Sequence, residues 1–280
     1  MIVFPNCKIN LGLNILRKRN DGYHDLETIF YPLPLTDVLE IIECKQPVRT
    51  VPIPFYNSGK LIQGDSLSNI CVKAYRLLKK DFPRLPFVQM HLHKLIPSGA
   101  GLGGGSADAA FTLQLLNQQY GLNLNRQQLI SYAGQLGSDC PFFIINKPCF
   151  ATGRGEFLEE IELSLADYKF VLVNPGIHIN TGKAFLDMPP SHRKKSAKEI
   201  ICNPVETWKD ELINDFENPI FRKHPEIGII KDQLYHSGAV YASMSGSGST
   251  VYGIFRKDKM INLHFPSNYF VQELTSGFSC

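Results

Sequence analysis

The chain has 280 residues, 44% of them hydrophobic and 20% charged, with a net charge of +3. That composition suits a soluble globular protein of one large domain or two lobes, and so mild a positive excess favours an anionic substrate while excluding a nucleic-acid-binding footprint. Seven scattered cysteines, never spaced C-x-x-C, argue for a reducing cytoplasm over a disulfide framework or zinc site, and neither a secretory signal nor an apolar run near the ~18–20 residues of a membrane span is present.

Residues 2–16 alternate loosely, with Ile9, Leu11, Leu13 and Ile15 on one side, and predict a strand pair or one long bent strand. Lys8 and Asn10 fall on the other side, which on the residues alone reads as an exposed polar face. Asp21-Gly22 is a hairpin-type turn, and Tyr23 and His24 follow it at a loop edge. A strand is predicted over 38–44, then a turn-rich stretch over 46–64 containing Pro47, Pro52, Pro54 and Gly59. Asp65 to Ser68 offer caps for a helix with Ile70, Ala74, Leu77 and Leu78 on its apolar face. Residues 87–93 alternate as a strand. Its His91 and His93 could hold a metal, but no third ligand has supporting spacing, and a solvated strand face is the stronger reading.

From Lys94 to Asn117 the chain reads KLIPSGAGLGGGSADAAFTLQLLN. Gly99, Gly101, Gly103, Gly104 and Gly105 strip the turn of side chains, and Ala110, Leu113 and Leu116 then mark one face of a helix. A glycine turn feeding a helix N-terminus presents unpaired N–H donors and the positive end of the helix dipole, which is an anion site and most often a phosphate site. Asn125 caps a further helix over 126–136. Asp139 stands at the following corner, before a predicted strand over 142–145, where residues alone favour a turn role. Thr152 to Gly155 make a tight turn, and 169–174 read as a buried strand ending at Pro175-Gly176, a plausible lobe boundary. Residues 189–204, with Arg193, Lys194, Lys195 and Lys198, read as a solvated connection. Helices are predicted near 210–217 and 225–237, and a second glycine cluster, Ser245 to Thr250, lies between apolar segments 239–244 and 251–255.

Gly99 to Gly104 match G-x-G-x-x-G, but a dinucleotide fold needs an acidic residue about 20 positions later. None occurs from Ala109 to Ser138, and a helix stands where the next strand should be. The Walker pattern fails at Gly182-Lys183-Ala184, and neither H-R-D nor D-F-G is present. What remains, a proline, a small-residue turn, G-L-G-G-G-S and an alanine-rich helix, resembles the nucleotide loop of the GHMP (galactose, homoserine, mevalonate, phosphomevalonate) kinases. KINLGLNILRKRNDGYHDLETIF, GSDCPFF and MSGSGSTVYGIF resemble, in order, segments of the 4-diphosphocytidyl-2-C-methyl-D-erythritol kinases of that superfamily. Where that family commonly carries Ser-Ser and then Asn, this chain has Ser106-Ala107-Asp108, leaving a single serine for phosphates or magnesium.

The resemblance implies an α+β, two-lobed GHMP-kinase fold, with an ATP-binding lobe over 1–160, a substrate-side lobe over 161–280 and the active site in the cleft between them. It implies phosphoryl transfer from ATP, with Mg2+, to a hydroxyl of a cytidine-diphosphate methylerythritol. ATP would be held by Pro97, Ser98, Gly99, Ala100, Gly101, Leu102, Gly103, Gly104, Gly105, Ser106 and Ala107, with Asn69 and Lys94 near the adenosine. Asp139 would be the base and Lys8 its cationic partner. Asn10 would orient the acceptor, Tyr23 and His24 would recognise the cytosine with Phe185 opposite, and Thr181, Gly246 and Ser247 would complete the substrate side. Metal ligands and oligomeric state are unassigned, and no membrane or nucleic-acid partner is expected. A kinase for another small alcohol, or a non-catalytic nucleotide-binding regulator on the same fold, stays open at this point.

Overall fold

The computed structural model describes residues 1–44, 53–62, 64–186, 188 and 195–275. Pro47 and Pro52 of the turn-rich stretch, Pro189, Arg193 and Lys194 of the basic connection, and Cys280 lie outside these. By contacts the chain forms two compact units, each assembled from separate segments. The first takes 1–7, 35–98 and 103–146; the second takes 8–34, 99–102 and 147–280.

In the first unit, β1 (Ile2–Val3), β4 (Val38–Glu43), β6 (Val88–Lys94) and β5 (Phe55–Gly59) form a sheet in that order. Only the β5–β6 pair is parallel. Met90 and Leu92 point inward from β6 while His91 is exposed, as the alternation predicts. Four helices join the sheet: α1 (Ile70–Asp81), α2 (Gly104–Gln119), α3 (Arg126–Leu136) and α4 (Cys140–Ile145). Asn69, not Asp65 or a neighbouring serine, caps α1; Asp65 caps only the short turn before it. Asn125 and Gln128 close a capping box on α3.

Residues 142–145 were expected to be extended and are instead helix α4. A short apolar run has no period of its own, and Pro141 in the first turn is preorganised for a helix start. Strand β5 was not anticipated either. It is an edge strand, largely exposed and glycine-ended, so its alternation is faint.

The second unit holds two sheets. One orders β2 (Asn6–Lys18), β3 (His24–Thr36), β7 (Cys149–Thr152) and β8 (Phe157–Glu160); β2 and β3 each have one end in the first unit. The other orders β10 (Tyr241–Met244), β11 (Val251–Arg256), β9 (Tyr168–Asn174) and the unanticipated edge strand β12 (Phe270–Thr275), all antiparallel. Helices α5 (Thr181–Leu186), α6 (Ala197–Ile200), α7 (Glu217–Lys223) and α8 (Pro225–His236) complete it. Leu13 and Ile15 pack in one core with Val171, Val173, Phe216, Ile230 and Val251.

The helix expected over 210–217 does not form. A 3-10 turn covers Val205–Asp210, and the following residues run alongside β2, where Leu13 N–H donates to Ile213 O (3.0 Å) and Asp215 N–H to Leu13 O (2.9 Å). Backbone pairing with β2 replaces the intrahelical bonds there. The polar face expected to be exposed on β2 is also wrong: Lys8, Asn10 and Asn14 are as buried as the leucines between them. Neighbouring elements cover the strand, so Lys8 and Asn10 find internal partners and Asn14 Nδ2 donates to Glu27 Oε1 (2.7 Å), while the buried Asn14 Oδ1 has no hydrogen-bond partner among the described residues.

Candidate active site

Lys8 and Asn10 lie on β2 and are the centre of a polar cluster in the second unit. Lys8 Nζ donates to Asn10 Oδ1 (2.5 Å) and to the Gly101 carbonyl (3.2 Å), and stands 4.9 Å from the Phe30 ring centroid. Asn10 is fixed from three sides. Its N–H donates to Ser245 Oγ (3.2 Å), its Nδ2 to Thr28 Oγ1 (3.0 Å), and its carbonyl accepts from the Tyr252 hydroxyl (2.8 Å). Burial of polar groups is tolerable when each finds a partner, and a network so tied holds its members in one geometry.

The two glycine turns, far apart in sequence, meet in this cluster. Ser245 Oγ donates to Gly101 O (2.8 Å), and Thr250 N–H donates to Ala100 O (3.2 Å). Gly101 (φ +79°) sits so close that an added Cβ would stand 1.9 Å from the Ser245 carbonyl oxygen. Leu102 O accepts from Lys8 N–H (3.0 Å), so β2 pins the loop as well. Asn214 Nδ2 donates to both Met244 O and Gly246 O (each 2.7 Å), and Asn174 Nδ2 reaches the hydroxyls of Ser249 and Thr250. Sequence reasoning missed Thr28, Asn174, Asn214 and Tyr252. Thr28 and Tyr252 lie within quoted segments and Asn174 and Asn214 in none, but no spacing singles any of them out, and only the fold brings them to the turns.

Gly103 (φ +69°) then occupies the N-cap of the 16-residue helix α2, with no side chain capping its first N–H groups. A Cβ at Gly105 would meet nothing within 4 Å. Uncapped donors and open space are what a phosphate group requires, and the residues fit that role. Gly104 is buried against Ile96 and Lys94, while Ser106 is half-buried beside the Cys140 thiol, whose pKa burial pushes up to about 12. Ala107 is wholly buried, so the missing second serine lies on the inner side of the helix. Pro97 is half-buried, and Ser98 and Gly99 are exposed.

Asn69 and Lys94, expected near an adenosine, both have protein partners. Asn69 Oδ1 accepts from Cys71 N–H (2.9 Å) as the cap of α1. Lys94 Nζ is buried between the carboxylates of Asp37 and Asp108 (2.7 Å to Asp108), and Asp37 Oδ1 also accepts from the N–H groups of Leu95 and Ile96. Asp139 is half-buried at the start of α4, and its side chain does not cap that helix.

On the substrate side, His24 stacks on Phe185 with centroids 5.2 Å apart, and Phe216 meets Phe185 edge-on. Burial, reinforced by the Lys18 charge, lowers the His24 pKa, and its buried Nε2 has no hydrogen-bond partner among the described residues. Thr181 Oγ1 and Ser247 Oγ lie 2.8 Å apart. Tyr23 is exposed, its ring against Arg154.

The sequence matches the GHMP kinases N terminal domain over residues 69–147 and the GHMP kinases C terminal domain over 201–263. A 4-diphosphocytidyl-2-C-methyl-D-erythritol kinase of Bacteroides thetaiotaomicron is 52% identical over 92% of this chain and 93% of its own. The chain belongs to that kinase family, within the GHMP kinases. A crystal structure of a kinase of the same family superposes with a TM-score of 0.79 at 28% identity, covering 99% of this chain and 100% of the other. The mevalonate kinase of Methanococcus jannaschii, 14% identical with a TM-score of 0.68 over 99% of this chain and 98% of its own, shares the fold. Family membership makes the chain an ATP-using kinase with an α+β fold. No helix among the described residues is long and apolar enough to cross a membrane.

Proposed function

We propose that the chain phosphorylates a hydroxyl of the methylerythritol portion of 4-diphosphocytidyl-2-C-methyl-D-erythritol at the expense of ATP, in the non-mevalonate route to isoprenoid precursors. The observation that carries this reading is the Lys8–Asn10–Gly101–Ser245 cluster, which ties a conformationally fixed lysine to both glycine turns. Phosphoryl transfer asks for alignment and charge stabilisation more than covalent help from the protein.

In this reading residues 1–160 carry the nucleotide loop and 161–280 the substrate-side turn. The N–H groups of Gly101 to Ser106 cradle the phosphates of ATP. Lys8 neutralises charge that develops on the transferred group, Asn10 orients the acceptor, and Asp139 holds its hydroxyl and takes the proton late. Tyr23 stacks on the cytosine and His24 hydrogen-bonds its polar edge, for which a neutral imidazole with an unpartnered Nε2 is suited. Phe185, Thr181, Gly246 and Ser247 close the substrate side. Mg2+ bound with the nucleotide would neutralise phosphate charge. It needs only one or two protein oxygens beside the phosphates.

The test is ADP release by purified protein with Mg-ATP and four acceptors: the cytidine-diphosphate methylerythritol, mevalonate, homoserine and galactose. Turnover with the first alone is expected; turnover with only another acceptor sinks the substrate assignment. Lys8→Ala and Asp139→Asn should each lower kcat by about 10²–10⁴-fold while ATP still binds. Near-normal turnover of either variant removes that residue from the chemistry.

A further inference from the structure

Tyr23 is 55% exposed, yet it is not a free side chain. The guanidinium carbon of Arg154 stands 4.8 Å from its ring centroid. Arg154 belongs to the turn between β7 and β8, and the fold explains its position. Strand β7 pairs with β3 through Thr28–Ala151 and Ile29–Phe150, and a Leu26 N–H bond to Gly153 O (2.7 Å) carries the pairing past the strand end. The β7–β8 turn is thereby laid beside the start of β3, where Tyr23 emerges. Gly153 and Gly155, both at positive φ, form the turn on either side of Arg154.

Each partner of this contact is fixed from behind. The Arg154 backbone N–H donates to the Glu156 carboxylate, and its Nε reaches Glu156 Oε1 at 3.3 Å. Tyr23 N–H donates to Asp21 Oδ1 (3.1 Å), and Asp21 is itself held by Arg19 (3.0 Å). A planar guanidinium covers one face of an aromatic ring and leaves the other face available.

We propose that Arg154 is a positioning residue for acceptor recognition: it stacks on one face of Tyr23 and presets the ring so that the opposite face receives the pyrimidine base. The inference rests on the assignment of Tyr23 as the base-stacking side chain. Preorganisation lowers the ordering cost of binding without adding a contact to the substrate. The effect belongs to binding of the cytidine-bearing acceptor and leaves both phosphoryl transfer and ATP binding untouched.

A cation–π contact at an exposed site corresponds to about a two- to fivefold change in an equilibrium constant. Arg154→Ala and Arg154→Met should therefore each raise KM for the cytidine-diphosphate acceptor by about that factor, with kcat and the KM for ATP unchanged. Arg154→Lys, which keeps the charge and loses the plane, should fall between them and the wild type. In a Tyr23→Ala background Arg154→Ala should add nothing, because the ring it positions is gone. An unchanged acceptor KM in Arg154→Ala, or an equal effect with and without Tyr23, overturns the role of Arg154 and leaves the cytosine assignment standing. An acceptor KM unaffected by Tyr23→Ala itself overturns the stacking assignment, and the role of Arg154 with it.

Discussion

Asp108 is a buried carboxylate whose surroundings pull its chemistry away from the ordinary. Its carboxylate and that of Asp37 enclose one ammonium, Lys94, in the interior of the first unit. Burial pushes Asp108 up to about 7, with the nearby Asp37 charge adding to it and Lys94 opposing. Lys94 is shifted upward: burial alone would lower it, and the two carboxylates outweigh that. The Asp108 carboxyl thus holds its proton to higher pH in the folded chain than the ~3.9 of an unfolded aspartate. Its contribution to stability is fully present below about pH 4 and is lost as pH rises through about 7. Asp108→Asn removes the titration while keeping shape and burial. Melting temperatures measured from pH 4 to 8 should fall less steeply for the variant than for the wild type; parallel curves would show that Asp108 does not titrate there. The sequence marked this residue only as the third of Ser-Ala-Asp. Its partner Asp37 was illegible, since nothing local to position 37 or 94 says that they meet.

At the scale of elements, the glycine turns separate what sequence can and cannot carry. The run of glycines predicted a helix starting near the last of them, and α2 does begin at Gly104. Which glycines serve the fold and which leave room for a ligand was not readable, because that depends on neighbours up to 144 positions away. Gly101 is structural: its positive φ and the Ser245 carbonyl at 1.9 Å from an added Cβ leave no space for a side chain. Gly105 faces open space and has no such constraint. Gly101→Ala should cost roughly 2–5 kcal/mol through backbone strain and overpacking. Gly105→Ala should keep or slightly raise stability, since alanine favours a helix interior, while raising the KM for ATP. Chemical denaturation and ATP kinetics on the two variants separate the roles; equal destabilisation would refute the distinction. The misread elements follow the same logic. Helix α4 and the stretch over 211–216 are short and take their shape from partners, whereas α2, α3 and α8 are long enough for capping and periodicity to decide.

For the whole molecule, contiguity in sequence is a poor guide to what folds together. The chain changes unit at 7/8, 34/35, 98/99, 102/103 and 146/147, so neither unit is a single stretch. The pattern of residues 2–16 announced a strand but not that its partners lie some 200 positions away. Leu13 pairs with Ile213 and Asp215, Ile15 N–H donates to Asp215 Oδ2 (2.8 Å), and the Tyr252 hydroxyl donates to Asn10 O. A cut after residue 160 therefore runs through a core. A fragment of residues 1–160 would leave Leu13 and Ile15 without Val171, Val173, Phe216 and Val251, and would strand the buried Asn10 without Ser245 and the Tyr252 hydroxyl. Uncovering large apolar side chains and orphaning buried polar groups each cost about 1–3 kcal/mol per group, against a total stability of only about 5–15 kcal/mol. The fragment should lack a cooperative thermal transition by circular dichroism and show fast amide exchange through β2, while the full chain melts sharply. A cooperative transition in the isolated fragment would show that residues 8–34 do not depend on the C-terminal strands.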